Sequence, residues 1–352
     1  MSGGGAERVV VDLAHGFFDK GLDFDMLLVR KQGPYINQLP PEINLVDLQA
    51  RHTSSAIFAL SRYLRHFRPE VVLSAMNYAN VIVLLARGLA RVKTRIVVSE
   101  HNAFSFWIKN PPNLRTQLML RGLMRITYPK ADTIVAVSRG VADDLARSIG
   151  IPRKKLRVIY NPIRLDHILA KTNEAVDHPW FHSDEPPVIL SVGRLHPQKD
   201  YPNLLQAFSL VRINVKARLV ILGEGKERPR LVSLAKELNI AEDVDMPGFV
   251  ENPYKYMALS KVFVLSSKFE GFGNVLLEAI ACGCPVVATD CPSGPREILE
   301  VTGVGRLVPV GDPESMAKAI LEAMEKGEKK EPNLRPFLLE NVVKQYMEVC
   351  GL

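Results

Sequence analysis

From Val262 to Leu299 the chain reads VFVLSSKFEGFGNVLLEAIACGCPVVATDCPSGPREIL. A β-branched apolar run, Val262 to Leu265, ends in small polar residues, and Gly271 and Gly273 then break the chain into a loop. An apolar segment, with Asn274 expected as its cap, stops at Gly283, and Pro285-Val-Val-Ala-Thr makes a second buried run. This pattern predicts a strand, a glycine-containing turn, a helix and a strand, one βαβ unit. The same alternation fills the rest of the chain. In the first half, short buried strands are predicted at Met26 to Val29, Val71 to Ser74, Ile96 to Ser99 and Thr133 to Val137. Helices are predicted at Arg8 to Phe18, Ser54 to Phe67, Tyr78 to Ala90 and Leu114 to Tyr128. A second series of strands begins at Val188 and continues at Arg218 to Leu222, Val244 to Met246, Val262 to Leu265 and Pro285 to Ala288. Its helices fall at Asn203 to Val211, Arg228 to Leu238, Asn252 to Ser260, Asn274 to Cys282 and Pro313 to Lys326. Alternating β and α signals imply an α/β protein of mostly parallel sheets with helices on both faces. We expect a first domain over residues 1–163, a polar, proline-bearing linker over 164–187 and a second domain over 188–330. A last helical segment, Leu334 to Val349, lies within 331–352.

Composition adds bounds. A chain of 352 residues suffices for two cores, and 47% hydrophobic with 24% charged residues is ordinary globular material. No apolar run reaches a membrane span, and Met-Ser-Gly-Gly-Gly is not a signal peptide. The four cysteines have no C-x-x-C spacing and no histidine near their cluster, so they read as buried thiols in a reducing, cytoplasmic setting. The net charge of +7 is uneven: residues 1–163 carry 23 Lys and Arg against 12 Asp and Glu. Nucleic acid and an anionic membrane surface are two readings of that excess, and a merely basic soluble surface is the plainer one.

Candidate chemistry gathers at the ends of the predicted strands. A helix N-terminus after a glycine turn offers free backbone N–H groups to phosphate, and the turn's glycines let backbone approach a ligand closely. Glu270 lies in the loop and Glu278 about one turn into the helix. A carboxylate accepts two hydrogen bonds side by side, which suits vicinal sugar hydroxyls. Phosphate donors between two such acids describe a nucleotide-sugar site. Gly193-Arg194-Leu195-His196-Pro197-Gln198-Lys199 follows the strand that opens the second domain. There Arg194 and Lys199 would neutralise a diphosphate as it leaves. Gly223-Glu224-Gly225 is a turn either beside a ligand or required only by topology. His101 follows Glu100 at a strand's C-terminal end, which favours a functional reading over a merely structural histidine. Asp23/Asp25 and Asp243/Asp245 are D-x-D pairs expected on solvent faces, and we assign metal to neither.

Glu270 and Glu278, with seven residues between them within F-E-G-F-G-N-x-x-x-E-A-x-A-x-G-x-P-V-V-A-T, resemble the E-x7-E motif of the retaining glycosyltransferases of family 4. Ser293-Gly-Pro-Arg-Glu-Ile298 is similar to a phrase of members that build polysaccharide and lipid-linked oligosaccharide. The resemblance implies the GT-B fold, two doubly wound Rossmann-like domains facing a cleft, with the last helix returning to the first domain. It implies UDP-sugar as donor, a lipid-linked or polysaccharide-precursor acceptor, no metal and no cofactor. Glu270, Arg194, Lys199 and His101 would be catalytic. Glu278, Gly271, Phe272, Gly273, Asn274, Gly193, Gly223, Gly225, Phe249 and Val250 would bind the donor, the last two through backbone contacts to the base. Ser138-Arg139 also matches the family pattern, without a clear role.

Gly3, Gly4 and Gly5 resemble the family's N-terminal glycine-rich loop for phosphate and acceptor. In the family that loop follows an apolar strand, whereas only Met1 and Ser2 precede it here. The first domain is therefore expected to lack its first strand, with the natural product beginning roughly 10–20 residues upstream. The aromatic Phe104-Ser-Phe-Trp-Ile stretch and the helix after it, with Arg115, Arg121 and Arg125, suit an anionic membrane surface, or a core-facing helix with exposed arginines. The rival functions are a GT-B epimerase or hydrolase that consumes donor without an acceptor, and a non-catalytic nucleotide-sugar-binding protein. Nucleic acid is not expected, because stacking aromatics do not alternate with basic residues along a face.

Overall fold

The computed structural model describes residues 4–33, 35–105, 114–182, 184–327 and 330–352. The chain divides into two compact units, Met1–Pro162 with Pro336–Leu352, and Ile163–Arg335.

The first unit holds strands β1 (Asp25–Leu28), β2 (Asn44–Asp47), β3 (Val71–Ala75), β4 (Arg95–Glu100), β5 (Thr133–Ala136) and β6 (Leu156–Val158). They form two parallel sheets, β3-β4-β5-β6 and the pair β1-β2. The helix Gly5–Asp19 serves both. Its Val9 and Leu13 join Val97, Val135 and Ile159 in one core, while Val11 and Ala14 join Leu39 and Ile43 in another. Opposite sides of one amphipathic helix thus cover separate sheets. The chain's last helix, Leu339–Cys350, packs Val342, Val343 and Tyr346 into the Val9 core.

The second unit holds β7 (Val188–Val192), β8 (Arg218–Leu222), β9 (Val244–Gly248), β10 (Val262–Leu265), β11 (Val286–Thr289) and β12 (Arg306–Val308). All are parallel, in the order β12-β11-β10-β7-β8-β9. Every residue of β10 and β11 is buried, because helices cover both faces of a doubly wound sheet. Each such Val, Leu or Phe contributes about 1.5–3 kcal/mol of burial free energy. Pro247 is accommodated because β9 is the outermost strand and needs no ladder bond on its free side. The 164–187 stretch, expected as a linker, contains the helix Leu165–Thr172, whose His167 packs edge-on against Tyr254 inside the second unit. Three of the four D-x-D acids have side-chain partners: Asp25 accepts from Tyr63, Asp243 pairs with Arg212 at 2.7 Å, and Asp245 lies 2.9 Å from His178.

Candidate functional site

Strand order in the second unit reverses between β7 and β10, and in open α/β sheets ligands bind outside the carboxyl ends of the strands at such a point. The loop after β7 carries Gly193 to Lys199, and the loop after β10 carries Ser266 to Gly273. Hydrogen bonds join them: Lys268 N donates to Gln198 O at 2.8 Å, Ser266 Oγ to Lys199 O at 2.6 Å, and Gln198 Nε2 to Phe269 O at 2.9 Å. At their meeting Lys199 Nζ lies 2.7 Å from Glu270 Oε1, with the side chains 16% and 10% exposed. Ser267 Oγ donates to the same Oε1 at 2.7 Å. Among the described residues Glu270 Oε2 has only the long 3.5 Å contact from Gln198 Nε2, so it retains acceptor capacity for a hydroxyl. Arg194, exposed, has no partner among the described residues. One cation of the expected pair is therefore committed to the acid and the other is free.

Local geometry explains the loop. His196 Nδ1 accepts from Gln198 N at 3.2 Å and opens the short turn that presents Lys199. Burial, and secondarily Arg194, hold the His196 pKa below its ordinary value. Asp200 closes the turn at φ +47°, a left-handed conformation that Asp tolerates better than most residues. Its carboxylate pairs with Lys268 at 3.1 Å. Tyr201 then buries its phenol beside Gly193 and Lys199, where burial and the Glu270 charge raise its pKa. Gln198, Ser267 and Tyr201 were not among the sequence candidates. Small polar residues after β10 were a faint signal for Ser267, whereas Tyr201 reaches the site only through packing.

The glycine turns divide by cause. A Cβ on Gly223 would stand 2.0 Å from Gly193 O, and one on Gly225 would stand 2.2 Å from Leu195 O. Backbone contact between two strand-end loops therefore requires both glycines of the Gly-x-Gly turn. The cap of the Asn274–Ala281 helix needs correction: Gly273, at φ +97°, holds the N-cap position, and Asn274 is the first helical residue. No Cβ penalty opposes that left-handed bend. Phe272 is 2% exposed and packs into the interior. Gly271 is buried, and Glu278, half-buried, stands one turn inside the helix. Phe249 is 78% exposed after β9, and Val250 beside it is half-buried.

In the first unit β4 delivers two neighbours to opposite faces, as strand alternation requires. Glu100 is buried with Asn80, whose Nδ2 donates to Glu100 Oε1 at 2.9 Å, and with the Tyr128 hydroxyl. Burial pushes the Glu100 pKa up to about 7 against those hydrogen bonds. His101, 6% exposed, has its pKa lowered to about 4 by burial. Its Nε2 lies 3.2 Å from Ser99 Oγ, and its buried Nδ1 has no hydrogen-bond partner among the described residues. An unpartnered ring nitrogen at a parallel strand's carboxyl end is where a ligand atom would be expected. Gly4 is the N-cap of the first helix, and its N–H donates to Glu7 Oε2 at 3.0 Å, so phosphate there would have to displace a carboxylate. Gly5 is that helix's first residue, and Gly3 lies outside the described residues. Ser138 caps the Arg139–Ile149 helix by accepting from Val141 N at 3.1 Å. Arg121 and Arg125 donate to Ser148 O and Ile149 O, the terminal carbonyls of that helix. Phe104 is buried, and Phe106, Trp107 and Ile108 lie outside the described residues.

Residues 3–167 match the family described as glycosyltransferase family 4, and residues 173–334 the family described as glycosyl transferases group 1. Over 336 residues the chain is 34% identical to the N-acetylgalactosamine-N,N'-diacetylbacillosaminyl-diphospho-undecaprenol 4-alpha-N-acetylgalactosaminyltransferase of Campylobacter jejuni, covering 92% of this chain and 88% of that one. Its fold is similar to that of the lipopolysaccharide outer core galactosyltransferase WaaB, with TM-score 0.73 at 21% identity over 99% and 96% of the two chains. It is also similar to Anabaena Alr3699/HepE in complex with UDP-glucose, with TM-score 0.75 at 19% identity over 98% and 92%.

Proposed function

The chain belongs to glycosyltransferase family 4, of the group 1 glycosyl transferases, and on that premise we propose that it transfers a hexose or N-acetylhexosamine from a UDP-sugar, with retention, to a lipid-linked or polysaccharide-precursor acceptor. The carrying observation is Glu270, held at the strand reversal by Lys199 and Ser267 with one oxygen left open. That oxygen accepts hydroxyls of the transferred sugar. Arg194 neutralises the departing diphosphate, and Lys199 shares its charge between that group and Glu270. Glu278 takes the ribose diol. His101 donates to the transferred sugar, and the acceptor attacks from the face the diphosphate leaves, giving its proton to a diphosphate oxygen. With the leaving charge met by side chains, the reaction needs neither metal nor cofactor.

The acceptor class is supported by the Campylobacter relative, whose name specifies an undecaprenol-diphosphate glycan. A lipid acceptor suits a membrane surface. The helix Leu114–Thr127 exposes Leu118, Met119 and Ile126 at 52%, 60% and 63%, within a unit rich in Lys and Arg. Among the described residues no helix is long and apolar enough to cross a membrane. Two experiments test these proposals. UDP-sugars screened against undecaprenyl-diphosphate-linked glycans, read by mass, should give a product whose new linkage keeps the donor's anomeric configuration, with no loss of rate in EDTA. Donor consumed without acceptor would overturn the transfer reading in favour of a hydrolase or epimerase.

A further inference from the structure

Tyr346 lies 247 residues beyond Ser99 in the sequence, yet its hydroxyl is 3.1 Å from Ser99 Oγ. It comes from the last helix, whose Val342 and Val343 pack beside it on the Val97 face of the first unit's sheet. Val97, Ser99 and His101 alternate onto that one face, so Ser99 Oγ stands between the phenol and the imidazole, 3.2 Å from His101 Nε2. Tyr346 is 1%, Ser99 2% and His101 6% exposed, so the row runs through the protein interior to the end of β4.

Proton counting then gives the row a direction. The phenol carries one proton and stays protonated, since burial lifts its pKa to about 12. Among the described residues its hydrogen-bond neighbour is Ser99 Oγ, and with the phenol as donor Ser99 Oγ accepts. Ser99 has a single proton of its own to give. With that proton given to its neighbour at 3.2 Å, His101 Nε2, the ring nitrogen is the acceptor and is unprotonated. A neutral imidazole with a bare Nε2 carries its hydrogen on Nδ1, and Nδ1 is the buried ring atom with no partner among the described residues.

We infer that Tyr346 is a positioning residue of the transferase: acting through Ser99, it holds His101 as the Nδ1–H tautomer, so that the ring offers a hydrogen-bond donor to a substrate oxygen and does not serve as a base. The inference rests on the reading that His101 touches the transferred sugar. It assigns the last helix a part in setting the chemistry of β4's end, beyond covering the core. The ring's position is held by β4, and its donor character is held by a phenol from the other end of the chain.

The test uses the full chain labelled with 15N-histidine. His101 is identified among the eight histidines by the signal lost in His101→Gln. In wild type its ring should show Nδ1 protonated and Nε2 bare. In Tyr346→Phe, which keeps the ring packed and removes only the oxygen, Ser99 becomes free to accept, and Nε2–H should become populated. Turnover should fall roughly 2- to 10-fold, the scale of one misdirected buried hydrogen bond, with a smaller change in donor KM. Ser99→Ala should fall similarly. The double variant should be no slower than Ser99→Ala alone, because both changes break one relay. An Nε2–H tautomer in wild type, an unchanged tautomer in Tyr346→Phe, or additive losses in the double variant would overturn the inference. Full turnover in His101→Gln would instead remove the sugar contact, and the spectra would still decide the relay.

Discussion

Lys199→Met and Arg194→Met separate two uses of positive charge. Lys199 is ion-paired at 2.7 Å with a carboxylate whose side chain is 10% exposed. Removing the lysine strands that charge. Breaking a buried pair costs about 3–5 kcal/mol, and the lower end applies here because Ser267 and Gln198 still donate to Glu270. Arg194 is exposed and without a partner among the described residues, so Arg194→Met should cost less than about 0.5 kcal/mol of stability. Turnover should nevertheless fall by about 10²-fold in Arg194→Met, as loss of a transition-state donor does. Lys199→Met should lose both. Adding Glu270→Gln to Lys199→Met removes the stranded charge and should restore most of the stability with none of the activity. Because two units need not unfold in one step, stability is best read by urea titration with hydrogen exchange at the β7 and β10 amides. A double variant as unstable as the sum of its singles would refute the coupling. An Arg194→Met variant as unstable as Lys199→Met would refute the assignment of the free cation.

Glu100 and His101 should give opposite stability slopes. The raised Glu100 pKa, from 4.5 to about 7, means the folded state holds the extra proton, so its contribution is full below about pH 4.5 and is lost as pH rises to 7. The lowered His101 pKa, from 6.5 to about 4, means the unfolded state holds the extra proton, so stability is full above pH 6.5 and is lost as pH falls toward 4. Chemical denaturation across pH 4–7 should therefore show little net slope from this pair in wild type. Glu100→Gln should leave a rising slope and His101→Gln a falling one, each at most about 1.4 kcal/mol per pH unit. Parallel slopes in the two variants would refute the assignment. Gly294→Ala should lose activity and melt lower, because its Cβ would stand 1.9 Å from Phe272 O at a φ of +90°; unchanged melting would show that the loop yields. Vesicle flotation should weaken when Leu118, Met119 and Ile126 are changed together to Ser, and insensitivity to that change would place membrane contact elsewhere.

The central strands β4, β5, β7, β8, β10 and β11 were legible because both faces of each are covered, which favours runs of mostly apolar residues. The short strands β2, β6 and β12 were not legible. Each lies at a sheet edge, spans three or four residues and is partly exposed, so tertiary pairing rather than composition makes it a strand. The helix Leu165–Thr172 was hidden in the same way, a polar stretch ordered by its place in the second unit. At the site, residue types and spacing were sufficient to nominate Glu270, Arg194, Lys199 and His101, because strand ends and glycine turns are local signals. Sequence alone could not pair Lys199 with Glu270, add Ser267 and Tyr201 to them, or reassign Arg121 and Arg125 to helix-end carbonyls. Nor could it bring Tyr346 to Ser99. Those partners are brought together by the order of strands in a sheet and by a returning helix, and no local propensity encodes which distant side chain will fill a given space.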